Sequence, residues 1–220
     1  MLKKLLAKIK SLSKSREPLD PSTFNDPVAE TTDWMPLKGG GASFCTRRLT
    51  EAGAQRLEFK AVLGAKAFYL VFLFTGIGVL VLFAGTLLEK GMSNFGLEDI
   101  FLLLFGCIFG TAGGCLYYFG TKPIVFDKQN GYFWKGKREP RQVINIDSIK
   151  TLAKLDDIHA LQLISEYCTS DDSSYYSYEL NLILKDAERI NVVDHGKLDK
   201  IREDAKKLAD FLEKPVWDAI

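Results

Sequence analysis

The sequence predicts a membrane α-helical hairpin joined to an α+β domain, in which about seven antiparallel strands form a partly open barrel closed by a C-terminal amphipathic helix. Three observations predict this fold class. Two long apolar runs, at 67–88 and 100–120, contain no charged residue, and almost all of the charges lie outside the region 67–120. Short alternating segments separated by turn residues follow residue 121. Near residue 197 the apolar period then lengthens from 2 to 3.6 residues.

The overall charge is nearly balanced. The 220 residues contain 29 Lys and Arg against 28 Asp and Glu, which gives a formal net charge of +1. A dedicated nucleic-acid-binding protein usually carries a visible basic excess. The sequence therefore predicts no nucleic-acid partner, and its layout predicts an integral membrane protein with two spans.

Residues 1–16 are predicted to form a cationic amphipathic helix on the membrane surface. Apolar residues recur at helical spacing from Leu2 to Leu12, and basic residues occupy the other side. Such a helix suits the headgroup region of an anionic leaflet. A frayed, solvated tail and a mitochondrial-type presequence are the alternatives, and the single Arg disfavours the presequence. The candidate lipid-contact residues here are Lys3, Lys4, Lys8 and Lys10.

Residues 17–43 are predicted to be a flexible linker, because they contain four prolines and the run Gly39-Gly40-Gly41. Trp34 is an exception within this stretch. It either lies at the membrane interface or packs against the folded domain. Residues 44–66 contain two short extended runs around a turn, which predicts a juxtamembrane hairpin or a lead-in to the first span.

The apolar runs predict a two-helix transmembrane hairpin over 67–120. At a rise of 1.5 Å per residue, each run can cross a hydrocarbon core of ~30 Å, whereas a pair of core helices in a soluble domain would usually be shorter. Five Lys or Arg residues flank the hairpin on each side, and only Lys90 lies in the loop 89–99. By the positive-inside rule, both termini are expected in the cytoplasm and the loop on the opposite side.

The second span carries a ridge of small residues. Gly106, Gly110 and Gly114 recur every four residues, a spacing that lets another helix approach closely. The ridge either mediates self-association or partner contact, or packs against the chain's own first span. In the second case the contact would pass through Gly76, Gly78 or Ala84. Neither span contains Asp, Glu, Lys, Arg or His, which argues against an ion or proton path through the hairpin alone.

Residues 121–220 are predicted to be a cytoplasmic domain. The Asn130-Gly131 pair between β-favouring runs is a strong hairpin signal, and a second hairpin is expected around 185–188. An apolar stripe over Lys197–Glu213 predicts an amphipathic helix that ends before Pro215. The expected strands are 124–127, 132–135, 142–146, 149–153, 158–165, 178–184 and 189–193.

The stretch PIVFDKQNGYFWKG, the meander of short strands and the closing helix resemble bacterial pleckstrin-homology-like (PH-like) domains, which are often fused to one or two transmembrane helices. This resemblance covers residues 121–214. The segments DWMPLKGGGASF and YELNLILKDAERINVVDHG are also similar to small two-span bacterial membrane proteins of uncharacterised function. The resemblance implies a PH-like fold in a protein of the bacterial inner (plasma) membrane, and it implies no activity. Phosphoinositide binding does not carry over, because only Lys128 is basic in the first hairpin turn.

The sequence contains no catalytic, cofactor-binding or metal-binding motif. Its cysteines lack the paired spacing of a zinc site, and disulfides are not expected in the cytoplasm or the membrane. His159 lies in an apolar strand pattern and His195 in a turn before a helix, where packing or capping is more usual than metal ligation. No nucleophile elbow, phosphate loop or dinucleotide fingerprint is present. The protein is therefore expected not to be an enzyme and to have no small-molecule substrate. The cysteines are Cys45, Cys107, Cys115 and Cys168.

Two polar loops are candidate contact surfaces. The first is a basic loop close to the second span, which either touches an anionic leaflet or is an ordinary solvated loop. The second is the acidic loop 168–177, which either presents tyrosines to a protein partner or is a mobile hairpin tip. The candidate lipid-contact residues of the first are Lys135, Lys137, Arg138 and Arg141. The candidate partner-loop residues of the second are Asp171, Asp172, Tyr175 and Tyr176.

These features predict a non-enzymatic inner-membrane scaffold or accessory subunit that presents its cytoplasmic domain for contact with protein and anionic lipid. A protein partner or self-association is expected. The alternative is a homo-oligomeric pore or transporter subunit assembled through the glycine ridge of the second span. Against this alternative, only Thr75, Thr86 and Thr111 carry aliphatic hydroxyl groups within the spans.

Overall fold

A computed structural model describes residues 19–37, 39–91, 94–169 and 174–220. The α-helices are α1 (Pro27–Thr31), α2 (Leu63–Lys90), α3 (Leu97–Gly120) and α4 (Leu198–Leu212). The strands are β1 (Arg47–Gly53), β2 (Arg56–Ala61), β3 (Ile124–Asp127), β4 (Tyr132–Lys135), β5 (Leu152–Lys154), β6 (Ile158–Thr169), β7 (Ser174–Leu184), β8 (Arg189–His195) and β9 (Val216–Asp218). The chain forms two compact units. One is Ala42–Asp157, and the other combines the described residues up to Gly41 with Ile158–Ile220.

The unit Ala42–Asp157 is built on a five-stranded antiparallel sheet with the order β1-β2-β3-β4-β5. Leu57 and Phe59 on β2 are buried with Phe126 on β3, as the alternation of apolar residues requires. Helices α2 and α3 are inserted between β2 and β3, which are neighbouring strands. The runs expected as a juxtamembrane hairpin are therefore the first two strands of the same sheet as the Asn130-Gly131 hairpin.

Helices α2 and α3 are each long and apolar enough to cross a membrane. In the most apolar 18-residue stretch of each helix, only 6% is buried for α2 and 11% for α3. A core helix of a soluble protein would be mostly buried, so these exposed apolar surfaces are consistent with an integral membrane protein. The two helices pack against each other over much of their length.

The second unit contains a four-stranded sheet with the order β8-β7-β6-β9, in which β9 runs parallel to β6. Helix α4 contacts all four strands. Its apolar stripe is buried, as the 3.6-residue period predicts, and consists of Ile201, Ala205, Leu208 and Leu212. The residue after α4, Glu213, adopts a left-handed conformation, and Pro215 follows two residues later.

The strands differ from the sequence prediction in two respects. They divide between two sheets, and the described residues form no closed barrel. Residues 142–146 are not a strand, because Pro140, which lacks a backbone N–H, opens a 3-10 turn at Pro140–Gln142 and a second turn follows at Ile146–Ser148. Strand β9 was not expected, since three residues are too few to show an alternation.

Part of the stretch predicted as a linker is folded. A 3-10 turn at Pro21–Phe24 and helix α1 both begin with an Asp-Pro pair. The carboxylates of Asp20 and Asp26 accept hydrogen bonds from Ser22 N and Val28 N at 3.0 and 2.9 Å. Each aspartate is an N-cap, and each proline occupies a helical position where its missing N–H costs nothing. These caps start two short helices in a proline-rich segment.

Candidate functional site

Several basic side chains lie at the end of the five-stranded sheet from which the two apolar helices run, among them Arg47, Lys122 and Lys137. Arg47 begins β1 and pairs with Ala61, two residues before α2 starts. Lys122 lies between the end of α3 and the start of β3, and Lys137 follows the end of β4. We call Arg47, Lys122 and Lys137 the helix-end basic cluster.

Arg47 is half-buried. Its Nη1 atom donates a hydrogen bond to the carbonyl oxygen of Lys122. Burial lowers the pKa of the Arg47 guanidinium, and the neighbouring Tyr69 hydroxyl acts in the opposite direction. The Tyr69 ring lies directly against Gly120, which places this tyrosine at the same helix end. Arg47 forms no ion pair with any residue that the structure describes.

The two lysines of the cluster lie over exposed aromatic rings at the end of α3. The Lys122 Nζ atom is 4.4 Å from the ring centroid of Phe119 and 4.7 Å from that of Tyr118. The Lys137 Nζ atom is 5.5 Å from the Tyr118 centroid. An exposed cation–π contact stabilises a lysine by about 0.5–1 kcal/mol, which is far less than an ion pair with a carboxylate could contribute in a partly buried site. Neither lysine has a carboxylate partner among the described residues.

The other end of the same sheet differs, because Arg56 there is ion-paired. Arg56 contacts the carboxylates of Glu58 and Glu139, each at 2.7 Å, and its guanidinium lies 5.2 Å from the Trp134 ring centroid. A cavity of about 560 Å³ opens beside it. The cavity is lined by Ala52, Gly53, Ala54, Gln55, Arg56, Asp127, Gln129, Asn130, Glu139 and Arg141. This end therefore holds both signs of charge, whereas the helix-end basic cluster holds only one.

The predicted basic loop does not form a single patch. Lys137 lies at the helix end of the sheet, and Lys135 is paired in register with Ile124 at that same end. Arg141 instead lines the cavity, and its Nη2 atom donates a 3.4 Å hydrogen bond to the Gln129 carbonyl in the β3–β4 turn. The basic residues of the loop lie at both ends of the sheet because Glu139, between Lys137 and Arg141, is ion-paired with Arg56 at the end opposite the helices. Arg138 is exposed between the two ends.

Sequence reasoning counted Arg47 and Lys122 only as indicators of membrane orientation. A further signal was available for Lys122, since it lies three residues after the aromatic run Tyr117-Tyr118-Phe119 at the end of a span. Aromatic residues next to Lys or Arg are typical of a membrane–water interface. Arg47 carried no such local signal, because its position depends on the pairing of β1 with β2.

The glycines of α3 pack against α2 within the same chain. Gly76 on α2 meets the backbone of Gly110 and the carbonyl of Gly106 so closely that a Cβ atom there would clash. Gly113 lies equally close to the backbone of Leu73. A Cβ atom on Gly114, by contrast, would be 4.0 Å from its nearest neighbour, the Leu73 Cδ1 atom. The close helix contact thus includes two glycines of the predicted ridge and leaves the third at its margin.

The segment before β1 covers one face of the four-stranded sheet. We call the described residues 19–37 and 39–41 the strap. Trp34 stacks on Phe24 at 5.1 Å between ring centroids and lies 5.9 Å from Trp217 on β9. The Trp34 Nε1 atom donates to the Ala29 carbonyl at 3.0 Å. Of the two interpretations of Trp34, the structure therefore places it against its own folded unit.

Polar side chains of the sheet hold the rest of the strap by its backbone. Arg189 donates from Nη1 to the Met35 carbonyl at 2.7 Å. The Glu179 carboxylate accepts from Leu37 N at 3.0 Å, and the Glu166 carboxylate accepts from Gly40 N at 3.0 Å. The Tyr175 hydroxyl donates to the Gly41 carbonyl at 2.9 Å. These bonds extend across β6, β7 and β8.

The two predicted partner-loop tyrosines have different surroundings. Tyr175 binds the strap, as described above. Tyr176 is 48% exposed and packs 5.0 Å, between ring centroids, from Tyr167, which is 44% exposed. The alternation of a strand separates them, since β7 begins at Ser174 and neighbouring side chains point to opposite faces. The other predicted residues of this loop, Asp171 and Asp172, lie outside the described residues, as do Lys3, Lys4, Lys8 and Lys10 of the N-terminal segment.

The histidines have carboxylate neighbours. The Nε2 atom of His159 lies 2.7 Å from the Oδ2 atom of Asp26, and that of buried His195 lies 3.8 Å from Asp204. Within the part of the chain that the structure describes, no three His, Cys, Asp or Glu side chains are grouped so that they could hold a metal ion. All four cysteines are free thiols.

Comparison of the chain with family models, curated proteins and solved structures finds no match.

Proposed function

We propose that this protein is a non-enzymatic scaffold or accessory subunit of the bacterial inner membrane. Its two-helix hairpin anchors it in the bilayer, and a cytoplasmic PH-like part presents surfaces for contact with a protein partner and with anionic lipid. One observation carries the proposal. Val62 alone separates β2 from α2, and residues 121–123 alone separate α3 from β3.

This continuity matters because short connections leave little freedom of orientation. The ends of both apolar helices are tied to neighbouring strands of one sheet, so the sheet sits at a set distance from the bilayer surface. An enzyme would need a cluster of reactive groups, whereas a scaffold needs only a rigid, correctly positioned surface. The distribution of Lys and Arg around the hairpin supports a cytoplasmic location for this surface.

The exposed Tyr167–Tyr176 pair is the best candidate for the protein-contact surface. Both rings are nearly half exposed and pack against each other on paired strands. Tyrosine supplies a large contact area with little loss of side-chain entropy, and it is enriched at the centre of protein interfaces. The strap already holds Tyr175, which leaves Tyr167 and Tyr176 for a partner.

The test is native mass spectrometry of the full-length protein purified from its own membrane in mild detergent. We expect a second protein at a fixed ratio, and we expect Tyr167→Ser with Tyr176→Ser to lower its recovery. Lys185→Gln, at the far end of β7, is the matched control and should leave recovery unchanged. A homo-oligomer or monomer with no second protein would contradict the accessory-subunit proposal.

A further inference from the structure

We infer that the helix-end basic cluster binds the phosphate of an anionic membrane lipid, with Arg47 and Lys122 as its central groups. The inference rests on the membrane anchoring proposed above and names the residues of the lipid contact. The sequence prediction placed that contact in the N-terminal helix and the loop from Lys135 to Arg141. To Lys137 of that loop, the helix-end basic cluster adds Arg47, the first residue of β1, and Lys122, which lies between α3 and β3.

The first argument is charge. Arg47, Lys122 and Lys137 lie around one helix end and have no carboxylate partner among the described residues. In the same sheet, Arg56 and Lys60 are both paired with Glu58, at 2.7 and 3.0 Å. Like charges held together at a partly buried site repel one another unless an anion lies among them. Within the described part of the chain, Arg47, Lys122 and Lys137 thus lack the ion pair that Arg56 and Lys60 have, and a bound anion would supply it.

The second argument is the hydrogen-bonding capacity of Arg47. A guanidinium carries five N–H donors in a planar fork that matches phosphate geometry. Among the described residues, Arg47 uses this fork for one bond, to the Lys122 carbonyl. That bond satisfies a carbonyl near the end of α3 and fixes the guanidinium beside the Lys122 backbone. The remaining donors are available to an oxyanion.

The third argument selects a lipid over a soluble anion. The aromatic rings under the lysines, Tyr118 and Phe119, are 54% and 59% exposed, and Leu116 one turn earlier is 40% exposed. An exposed apolar strip therefore leads directly from the cationic groups onto α3. A phospholipid fits both parts, because its phosphate meets the cations while its acyl chains lie along the helix. Free phosphate would contact the cations alone.

The chemistry also selects among lipids. A phosphodiester without an attached ammonium group, as in phosphatidylglycerol, brings an uncompensated negative charge to the cluster. Phosphatidylcholine brings its own cation, which the three basic groups repel. Each basic residue near a charged leaflet contributes about 1 kcal/mol, equivalent to about fivefold in relative binding. Preference for the anionic headgroup is thus the expected signature.

The experiment uses the full-length protein in phosphatidylcholine vesicles with a trace of spin-labelled phosphatidylglycerol or spin-labelled phosphatidylcholine. Electron paramagnetic resonance measures the motionally restricted fraction of each lipid. We expect the protein to prefer phosphatidylglycerol and Arg47→Gln with Lys122→Gln to lose most of that preference, about fivefold for each cation removed. Lys122→Gln with Lys137→Gln keeps the hydrogen bond from Arg47 to the carbonyl of residue 122. This second pair tests the site if the first pair folds poorly, and it should show a comparable loss of preference.

The matched control is Lys128→Gln with Lys154→Gln, which removes two charges at the opposite end of the same sheet. Its preference should equal that of the unchanged protein. Equal losses in the control and in the cluster variants would mean that net charge alone attracts the lipid, and this would overturn the inference. So would restricted lipid with no headgroup preference in the unchanged protein.

The outcomes also separate this inference from the proposed function. If no motionally restricted lipid is seen, the helices do not span the bilayer and the proposed anchoring fails. If restricted lipid is present without selectivity, the anchoring stands and only the phosphate site fails. Excess inorganic phosphate, compared with chloride at equal ionic strength, distinguishes the source of the anion. Loss of the preference in phosphate alone would assign the cluster to a soluble anion and overturn the lipid site.

Discussion

The Nε2 atom of His159 lies 2.7 Å from the Oδ2 atom of Asp26, and this contact joins the strap to the start of β6. Asp26 also caps α1 by accepting a hydrogen bond from Val28 N at 2.9 Å. Burial opposes ionisation of the Asp26 carboxyl, but the hydrogen bonds from His159 and Val28 outweigh it, and the pKa of Asp26 is lowered. One carboxylate thus starts a helix of the strap and fastens that helix to the sheet.

Replacing Asp26 with alanine should lower the free energy of unfolding by about 1–2 kcal/mol, because the variant loses an N-cap and a second hydrogen bond. The measurement is urea unfolding of the full-length protein, followed by tryptophan fluorescence, to which Trp34 and Trp217 contribute. Asp26→Asn is the matched variant, since Asn caps a helix about as well as Asp. It should lose clearly less stability. Equal losses in both variants would argue against the capping role.

The same residue predicts an acid response. A carboxyl with a lowered pKa stabilises the folded state above its ordinary value of 3.8, and this contribution is lost as the pH falls through the lowered pKa. We therefore expect the tryptophan fluorescence of the strap to change below about pH 4. Asp26→Asn should remove that part of the titration. An unchanged acid transition in the variant would show that another group controls the release of the strap.

Glu179 should have the opposite pH dependence. Burial raises the pKa of its carboxyl, and the nearby Asp194 adds to this effect, while hydrogen bonds including that from Leu37 N oppose it. A raised carboxyl pKa means that the folded state binds the proton more tightly. Its stabilising effect is therefore present below the ordinary value of 4.5 and is lost as the pH rises through the raised pKa.

Glu179→Gln should consequently raise the melting temperature at pH 7 and change it little at pH 4. The glutamine Oε1 atom can still accept from Leu37 N, so the variant removes the buried charge and keeps that bond. Thermal unfolding of the full-length protein at the two pH values is the measurement. A lower melting temperature at pH 7 would mean that the ionised carboxylate holds the strap more strongly than its burial costs.

Much of the local structure could be predicted from the sequence, because it depends on periodicity and turn chemistry. The alternation around Asn130-Gly131 and the stripe of α4 each specify an element without reference to the rest of the chain. Grouping strands into sheets is different, since that depends on pairs distant in sequence. The pairing of Leu57 with Phe126 spans the whole apolar hairpin, and no local pattern indicates it.

The candidate site was harder to predict for the same reason. Lys137 was recognised because it belongs to a run of basic residues, but Arg47 joins it only through the pairing of β1 with β2. The strap was missed although two Asp-Pro pairs mark its helix starts. Its aromatic residues find their partner, Trp217, at the far end of the chain. Composition alone therefore suggested a flexible linker where long-range packing orders the chain.

Arg56 is the charge that should matter most to the five-stranded sheet. It contacts Glu58, Glu139 and Asp127, and the side chains of Glu58 and Asp127 are only 9% and 5% exposed. Arg56→Gln removes the cation that these three carboxylates share and leaves Lys60 beside Glu58, so we expect a loss of about 2–4 kcal/mol. Chemical unfolding of the full-length protein in detergent measures it.

Two further variants test whether this loss comes from unpaired charge. Among the described residues, Lys60 is ion-paired with Glu58 alone and is half exposed, so Lys60→Gln should cost about 1 kcal/mol or less. Glu139→Gln in the Arg56→Gln background removes one of the repelling carboxylates and should recover part of the stability. If the double variant is no more stable than Arg56→Gln, the loss comes from packing on Trp134 and not from charge.

The contact between the two apolar helices predicts a sharp difference between neighbouring glycines. Successive residues of a helix are about 100° apart, so Gly113 lies roughly 20° from Gly106 around the axis, whereas Gly114 lies roughly 80° away. The four-residue spacing therefore drifts off the contact face. Gly113 packs on the Leu73 backbone, and Gly114 has room for a methyl group.

Gly113→Ala should therefore force α2 and α3 apart and destabilise the hairpin by about 1–3 kcal/mol, because backbone on both sides cannot yield as a flexible side chain would. Gly114→Ala adds the same methyl group one residue later and should be nearly neutral, since its Cβ atom meets only the Leu73 Cδ1 atom at 4.0 Å. Thermal unfolding of both variants in the same detergent makes the comparison. A pore built through the predicted ridge would reverse the order, since Gly114 would then lie in the interface between copies. Greater damage from Gly114→Ala, together with loss of an oligomer, would thus favour the pore over the intramolecular contact.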